Sequence, residues 1–349
     1  MAGCAHHHLQ TIPTGTIVIK YLQRKHIDEI KWNNCINHAF NGNLYGYSWY
    51  LDIVGGKWDA LVENDYERVF PLVYRRKFGI SYIYQPFFTQ QLGLYSTTKL
   101  DAGALGAFIQ AIPSKFGQVE INLNTLNKAE GLPFKLKSQL NHELDLIHSY
   151  ERIRQDYTAN LSRNLRKPEK AGLTISKNIK PDDIIDLFRK NRGKDITHLH
   201  DKDYLKLKRI AYTCMYKGIA DIQGVYDRQN QLCAGAFFIL SNNKAIFLFS
   251  GLSEEGREAG AMPFLIDNFI REHAGRHLTF DFDGSNDPSL ARFYKSFGSK
   301  ECVYQRVVIN RLPVMINGAA RLYRGLRNSK YQAPNSKQIQ NSKSKIQNR

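Results

Sequence analysis

No run of this chain approaches the roughly 18 consecutive apolar residues of a membrane-spanning helix, so no transmembrane helix is expected. Cysteine is scarce, five residues in 349 with no Cys-x-x-Cys pair. An odd, unpaired set argues for reduced thiols and a cytoplasmic protein. The opening residues, MAGCAHHHLQ, lack the basic and apolar stretches of a secretory leader. No GxSxG, GKS/T or HExxH occurs, which argues against the common hydrolase and NTPase classes. Acidic residues stop at Glu301, and the remainder, Cys302 to Arg349, carries ten Lys/Arg. The net charge of +17 therefore leaves only +7 for the body of the chain. The basic end can attract nucleic acid or an anionic surface, although its Asn/Gln/Ser/Lys-rich last residues also read as a solvated extension.

What is present is ample core material. Aromatic residues include 19 Phe and 19 Tyr, and 42% of the chain is apolar, which excludes a wholly disordered protein. The length suits two domains. Two stretches show the same order of elements. The first, 16–150, has a strand at Thr16–Lys20, a helix near His26–His38, a strand pair at Trp58–Val62 and Arg68–Val73, and strands at Ser81–Tyr84 and Val119–Asn122 flanking a helix at Asp101–Ile112. The second, 151–310, has helices near Pro181–Arg192 and Asp203–Met215. A meander follows, Ile219–Tyr226, Leu232–Leu240 and Lys244–Phe249, and then helix, strand, helix and a last strand at Val303–Asn310. Helices before an antiparallel meander, then a helix crossing to another strand, predict a duplicated α/β (α+β) unit with mixed sheets. A flexible start at 1–15, a docked helix at 311–327 and a disordered basic tail at 328–349 complete the expected organisation.

The most informative region is Lys244–Gly298. Its apolar strand leads into an expected loop, Ser250–Gly260, with Gly251, Gly256 and Gly260. The helix that follows has Met262, Leu265, Ile266, Phe269 and Ile270 on one stripe. A glycine-bearing turn into a helix offers free N–H groups and a positive helix end to a phosphate, yet such loops are common. The next strand, Leu278–Asp283, carries Asp281 and Asp283 on the face opposite Leu278, Phe280 and Phe282. Asp287, Pro288 and Gly298 delimit a second helix with a buried stripe of Leu290, Phe293, Tyr294 and Phe297. Arg163, Arg166, Lys167 and Lys170 form a basic cluster, which reads either as a solvated face or as an anion clamp. His6–His8 and the HLHD run with His198, His200 and Asp201 lack the further ligands that would complete a metal shell.

Asn286–Gly298, NDPSLARFYKSFG, resembles the segment of the GNAT superfamily of N-acyltransferases that places Asn, Ala, Tyr and Gly in this order, here Asn286, Ala291, Tyr294 and Gly298. The preceding glycine stretch, with Arg257, Gly260 and Ala261, is similar to the family's acyl-CoA pyrophosphate loop, with Met262 where a small residue is usual. RNLRKPEKAGLTI (Arg163–Ile175), DFDGS and FYKSFG are similar to the FemAB branch, whose members join two tandem GNAT-type domains and add aminoacyl groups from tRNA to peptidoglycan precursors. Pro168 departs from that pattern and predicts a shortened basic helix around Arg166.

The resemblance implies a cytoplasmic acyltransferase with two tandem GNAT-like domains. Its donor would be acyl-CoA (acetyl-CoA) or aminoacyl-tRNA, without metal. Its acceptor would be the amine of a small molecule or a cell-wall precursor, with tRNA as a partner in one case. It implies catalytic roles for Tyr294, Lys295 and Asp281, and donor contacts at Phe249, Ser250, Gly251, Gly256, Arg257, Gly260, Ala261 and Asn286. Arg163, Arg166, Lys167 and Asp283 would contact substrate. A FemAB-type peptidoglycan enzyme specifically, or a non-catalytic GNAT-like binding module, are the alternatives.

Overall fold

The computed structural model describes residues 18–313, apart from 197 and 285. The expectations for 1–15, 311–327 and 328–349 thus fall outside the described residues, save 311–313. Met1–Ile309 is one compact unit, and Asn310–Arg349 is a second.

The chain runs β1 (Ile19–Gln23), α1 (Glu29–His38), α2 (Ser48–Val54), β2 (Trp58–Glu63), β3 (Arg68–Lys77), β4 (Ile80–Ile83), β5 (Tyr95–Ser96), α3 (Ala102–Gln110), β6 (Phe116–Asn122) and β7 (Lys135–Asp145). There follow α4 (Tyr150–Gln155), α5 (Ala159–Asn164), α6 (Lys167–Ala171), β8 (Thr174–Ser176), α7 (Pro181–Lys190) and α8 (Asp201–Tyr216). The last part holds β9 (Ala220–Tyr226), β10 (Leu232–Ser241), β11 (Lys244–Leu252), α9 (Glu254–Glu258), α10 (Ala261–His273), β12 (Thr279–Asp281), α11 (Pro288–Lys295) and β13 (Lys300–Asn310). One sheet joins them in the order β1-β2-β3-β4-β6-β13-β7-β12-β11-β10-β9-β8, with β5 against β3.

The repeated order is visible in the pairing. β2, β3 and β4 form an antiparallel meander, and β6 returns parallel to β4 after α3. β9, β10 and β11 form another, and β12 returns parallel to β11 after α10. The closing strands are exchanged: β7 pairs with β12, and β13 inserts between β6 and β7. The last strand, β13, thus lies between the closing strands of the two meanders.

Alternation along β10 feeds two cores. Ala234, Ala236 and Phe238 face α10 and α11, whereas Phe237 and Ile239 face α7 and α8. The tight β10–β11 turn puts both Asn242 and Asn243 at positive φ, as a two-residue hairpin requires. β11 then breaks the alternation. Phe237 pairs with Phe249 but Phe238 pairs with Phe247, so Leu248 is an extra, bulged residue. The bulge turns Leu248 and Phe249 together to the α7 side, where Phe249 packs on Phe188 with centroids 4.7 Å apart.

Three expectations are corrected. Ser250 and Gly251 are not loop but strand, since β11 continues to Leu252. A Cβ on Gly251 would lie 2.6 Å from the Ile184 carbonyl oxygen, so this glycine serves the close approach of α7. Gly256 and Arg257 lie in α9, leaving only Gly260 (φ 76°) as a left-handed turn. Leu290 is 45% exposed, because it sits in the first turn of a short helix, clear of the stripe that buries Tyr294 and Phe297.

Candidate functional site

The fork between β11 and β12 organises the site. These parallel strands pair only through Lys244–Ile246 and Thr279–Asp281, and then part, while β11 runs on to Leu252. The chain leaving β12 is redirected rather than extended. Asp281 Oδ1 accepts from the Asp283 N–H at 2.9 Å, and Asp283 takes a left-handed φ of 58°. The Gly284 N–H donates to Asn141 Oδ1 at 2.7 Å. Asp281 and Asp283 consequently do not share a strand face as the alternation predicts. Both are drawn to the fork.

Asp281 is part of an ion triad. Lys244 Nζ lies 2.5 Å from Glu143 Oε1 and 3.3 Å from Asp281 Oδ2, and Asn141 Nδ2 donates to Asp281 Oδ1 at 2.9 Å. Burial works against the Lys244 ammonium, but Asp281 and Glu143 outweigh it and raise its pKa. No such cation pairs with Asp283 among the described residues. It accepts a 2.5 Å hydrogen bond from the Tyr45 hydroxyl. Burial first and the Asp281 charge second push it up to about 7, although the Tyr45 hydrogen bond pulls the other way. Tyr45 comes from the turn before α2, 238 residues away in sequence. The chain after β4 closes the fork: Gln90 Nε2 donates to Asn141 Oδ1 at 3.2 Å, and Phe88 packs against Phe249.

A second layer lies under α11. Tyr294 is 8% exposed, its ring 4.7 Å from that of Phe282. Burial, then Asp283 and Asp287, raise its pKa, so the phenol stays protonated. Below it, 5.9 Å away, lies the ring of His142, fully buried and with both ring nitrogens unpartnered among the described residues. Burial, then the Lys295 charge, lower its pKa and favour the neutral ring. Lys295 points outward and pairs with Glu301 at 2.7 Å. Asn286 ties α11 to β7, accepting from the Leu140 N–H at 3.1 Å and donating to Gln139 Oε1 at 2.9 Å.

The third element is a basic corner. Pro168 sits in the first turn of α6, and the basic segment is split into α5 and α6 around Arg166. The break brings this segment against the start of α10: a Cβ on Gly260 would lie 3.3 Å from the Asn164 carbonyl oxygen and 3.7 Å from Lys167 Cβ. Ala261, the first residue of α10, is buried. Arg163, Arg166 and Lys167 are exposed, and no described carboxylate forms an ion pair with them. Arg257 pairs instead with Glu254 at 3.5 Å.

The HLHD residues do not assemble a metal shell. Asp201 pairs with Arg189, and the His198 ring stacks on Phe87. Asp221, Glu272 and His273 do converge, but Lys177 Nζ already sits 3.0 and 2.8 Å from the two carboxylates and supplies the positive charge. Tyr45, Asn141, Glu143 and Lys244 are site residues that no sequence pattern singled out.

No family model matches the chain, and no curated protein matches it. Among solved structures, FemX superimposes with a TM-score of 0.59 at 14% identity, covering 82% of this chain and 96% of that one. A putative lysylphosphatidylglycerol synthetase C-terminal domain from Agrobacterium fabrum gives 0.52 at 12% identity, covering 84% and 95%. A conserved protein of unknown function from Bacteroides thetaiotaomicron gives 0.54 at 9%, covering 84% and 100%. At these identities the likeness is one of fold. The chain has a GNAT-like fold of the FemAB type.

Proposed function

We propose that this FemX-type fold serves an N-acyltransferase, which moves an acyl or aminoacyl group from an activated donor to an amine. The halves 16–150 and 151–310 would be its two GNAT-like repeats. The observation that carries the reading is the fork: a carboxyl with a pKa near 7 stands where two parallel strands part beside a bulged strand.

In the proposed reaction the acceptor nitrogen bonds to the donor carbonyl carbon, and its proton passes to Asp283. Past Ile246, where β11 no longer pairs with β12, a backbone N–H of β11 would receive the oxyanion. Collapse of the tetrahedral intermediate breaks the bond to the donor's sulfur or ribose oxygen, which takes a proton from Tyr294 or Lys295. A pKa near ambient pH suits a base that must both take and release a proton. The α10 start, with Arg163, Arg166 and Lys167, would hold the donor's phosphates.

Two substitutions separate the donors. With acyl-CoA, Tyr294→Phe should lower turnover by about 10–10³-fold with little change in donor affinity. With aminoacyl-tRNA, Lys295→Ala should be the damaging change and Tyr294→Phe mild. Turnover assays with each donor decide. If both variants match the wild type, α11 is structural. The deep packing of Tyr294 and the Lys295–Glu301 pair favour a structural α11; a chain that turns over neither donor would be a non-catalytic binding module.

The anion corner has its own test. Arg166→Ala should weaken binding of CoA or tRNA by roughly tenfold at low salt, since a charge-assisted contact to phosphate is lost. Raising the salt should shrink the difference, because Arg166 is exposed and screened. Equal affinities at every salt concentration would return the cluster to a solvated face.

A further inference from the structure

α8 carries a second apolar surface that the fold leaves uncovered. Its inner face, Leu207, Ile210, Ala211 and Cys214, is fully buried against the core. Its outer face shows Leu205 (61% exposed), Tyr212 (41%) and Tyr216 (91%), with Met215 (44%) beside them. Leu205, Tyr212 and Tyr216 stand at i, i+7 and i+11, so they share one stripe. Four of the thirteen large hydrophobic residues exposed among the described residues thus lie on this single helix.

The flanks of the stripe are basic. At 3.6 residues per turn, Lys202 and Arg209 border it on one side and Lys208 on the other, while Lys206 turns inward and donates to the Val54 carbonyl oxygen at 2.7 Å. Lys208 pairs with Asp182, whereas no ion pair to a described carboxylate involves Lys202 or Arg209. Lys217 continues the basic border beyond the last turn, over the Trp49 ring. An outward apolar and tyrosine-lined centre with lysine and arginine shoulders is the layout of a helix lying in a lipid headgroup layer. Its apolar centre enters the acyl boundary while the cations stay with the phosphates. Nucleic acid would use the cations and stack on tyrosine, but it leaves protruding aliphatic side chains such as Leu205 and Met215 without a role.

We infer that the outward face of α8 docks on an anionic phospholipid bilayer. The inference is independent of the proposed chemistry, because it concerns adsorption of the folded chain and not turnover. It is also distinct from attraction by the charge of the basic C-terminal residues, which the variants below leave unchanged.

The test is sedimentation of the full chain with vesicles of phosphatidylcholine alone or mixed with phosphatidylglycerol. The mixed vesicles should bind the protein and the neutral ones much less. The triple variant Leu205→Ser, Tyr212→Ser, Tyr216→Ser keeps every charge, and its partitioning onto mixed vesicles should fall at least about tenfold. Lys202→Glu with Arg209→Glu should also weaken it, now by charge. The substituted side chains are exposed, and a thermal melt confirms that each variant is folded. Triple-variant binding equal to the wild type would assign adsorption to the C-terminal residues and overturn the inference. So would an absence of binding to mixed vesicles. Loss of RNA binding rather than vesicle binding in the variants would overturn it in favour of a nucleic-acid surface. A wild-type dimer that becomes a monomer in the triple variant would overturn it in favour of a second copy of the chain.

Discussion

Asp283→Asn should lose turnover by about 10²–10⁴-fold and yet melt above the wild type at about pH 8. The two halves of this result have one cause. Burial pushes the Asp283 carboxyl up to about 7, from the 3.8 usual for a free aspartate, so folding resists its ionisation. Between those values the folded chain binds more protons than the unfolded one, and stability falls as the pH rises. Above about pH 7 the loss is complete, at most about 4 kcal/mol, and smaller where solvent reaches the carboxylate. Asparagine cannot ionise and escapes the loss. It also fits the site: it tolerates the left-handed φ of 58°, and its side-chain oxygen can still accept from Tyr45. The gap in melting midpoint should narrow as the pH falls from about 7 towards about 4 and close below that, where the wild-type carboxyl is protonated in both states. The wild-type rate should rise through about pH 7, and the variant should lose that rise. An Asp283→Asn enzyme with normal turnover would remove the residue from the chemistry. One that melts below the wild type at alkaline pH would mean that the buried carboxylate is stabilised in the fold.

Elements announced by local chemistry were legible in the sequence. The β9–β11 meander has turn residues between apolar runs, while α10 and α11 have clear periodicity bounded by Pro and Gly. What stayed hidden was polar structure in a central place. β7, KLKSQLNHELD, reads as a hydrophilic segment, yet it lies between β13 and β12 and buries Asn141 and His142 completely. Apolar alternation is the signal for a strand, and a strand that lines a polar site lacks it. α2 escaped because it is short and has no side-chain cap. The candidate carboxylates were visible as a DFD run, but not their partners. Tyr45 and Lys244 meet them only through tertiary contacts. The glycines misled for a related reason: Gly251 permits close packing of α7, and sequence alone does not separate that from a flexible loop.

Lys244→Met should be the most destabilising single change at the fork. Its ammonium, 25% exposed, compensates two carboxylates whose side chains are 19% and 6% exposed. Removing one member of a buried ion cluster leaves uncompensated charge, which costs roughly 3–5 kcal/mol. Glu143 keeps some solvent, so the lower end applies, and the melting midpoint should drop by about 5–10 °C. The pH dependence identifies the cause. Without Lys244 the two carboxylates are left uncompensated only while they are ionised, so the deficit should be largest at neutral pH and shrink in acid. Adding Glu143→Gln and Asp281→Asn should recover most of the loss, since the orphaned charges are then gone. The substitution also reaches the chemistry. Asp281, stripped of its cation, should repel the ionised Asp283 more strongly and move the rising limb of the rate profile to higher pH. Asp281→Asn alone should move it to lower pH. A Lys244→Met protein that melts with the wild type and keeps its profile would show the triad to be solvated, and Asp283 to be tuned by burial alone.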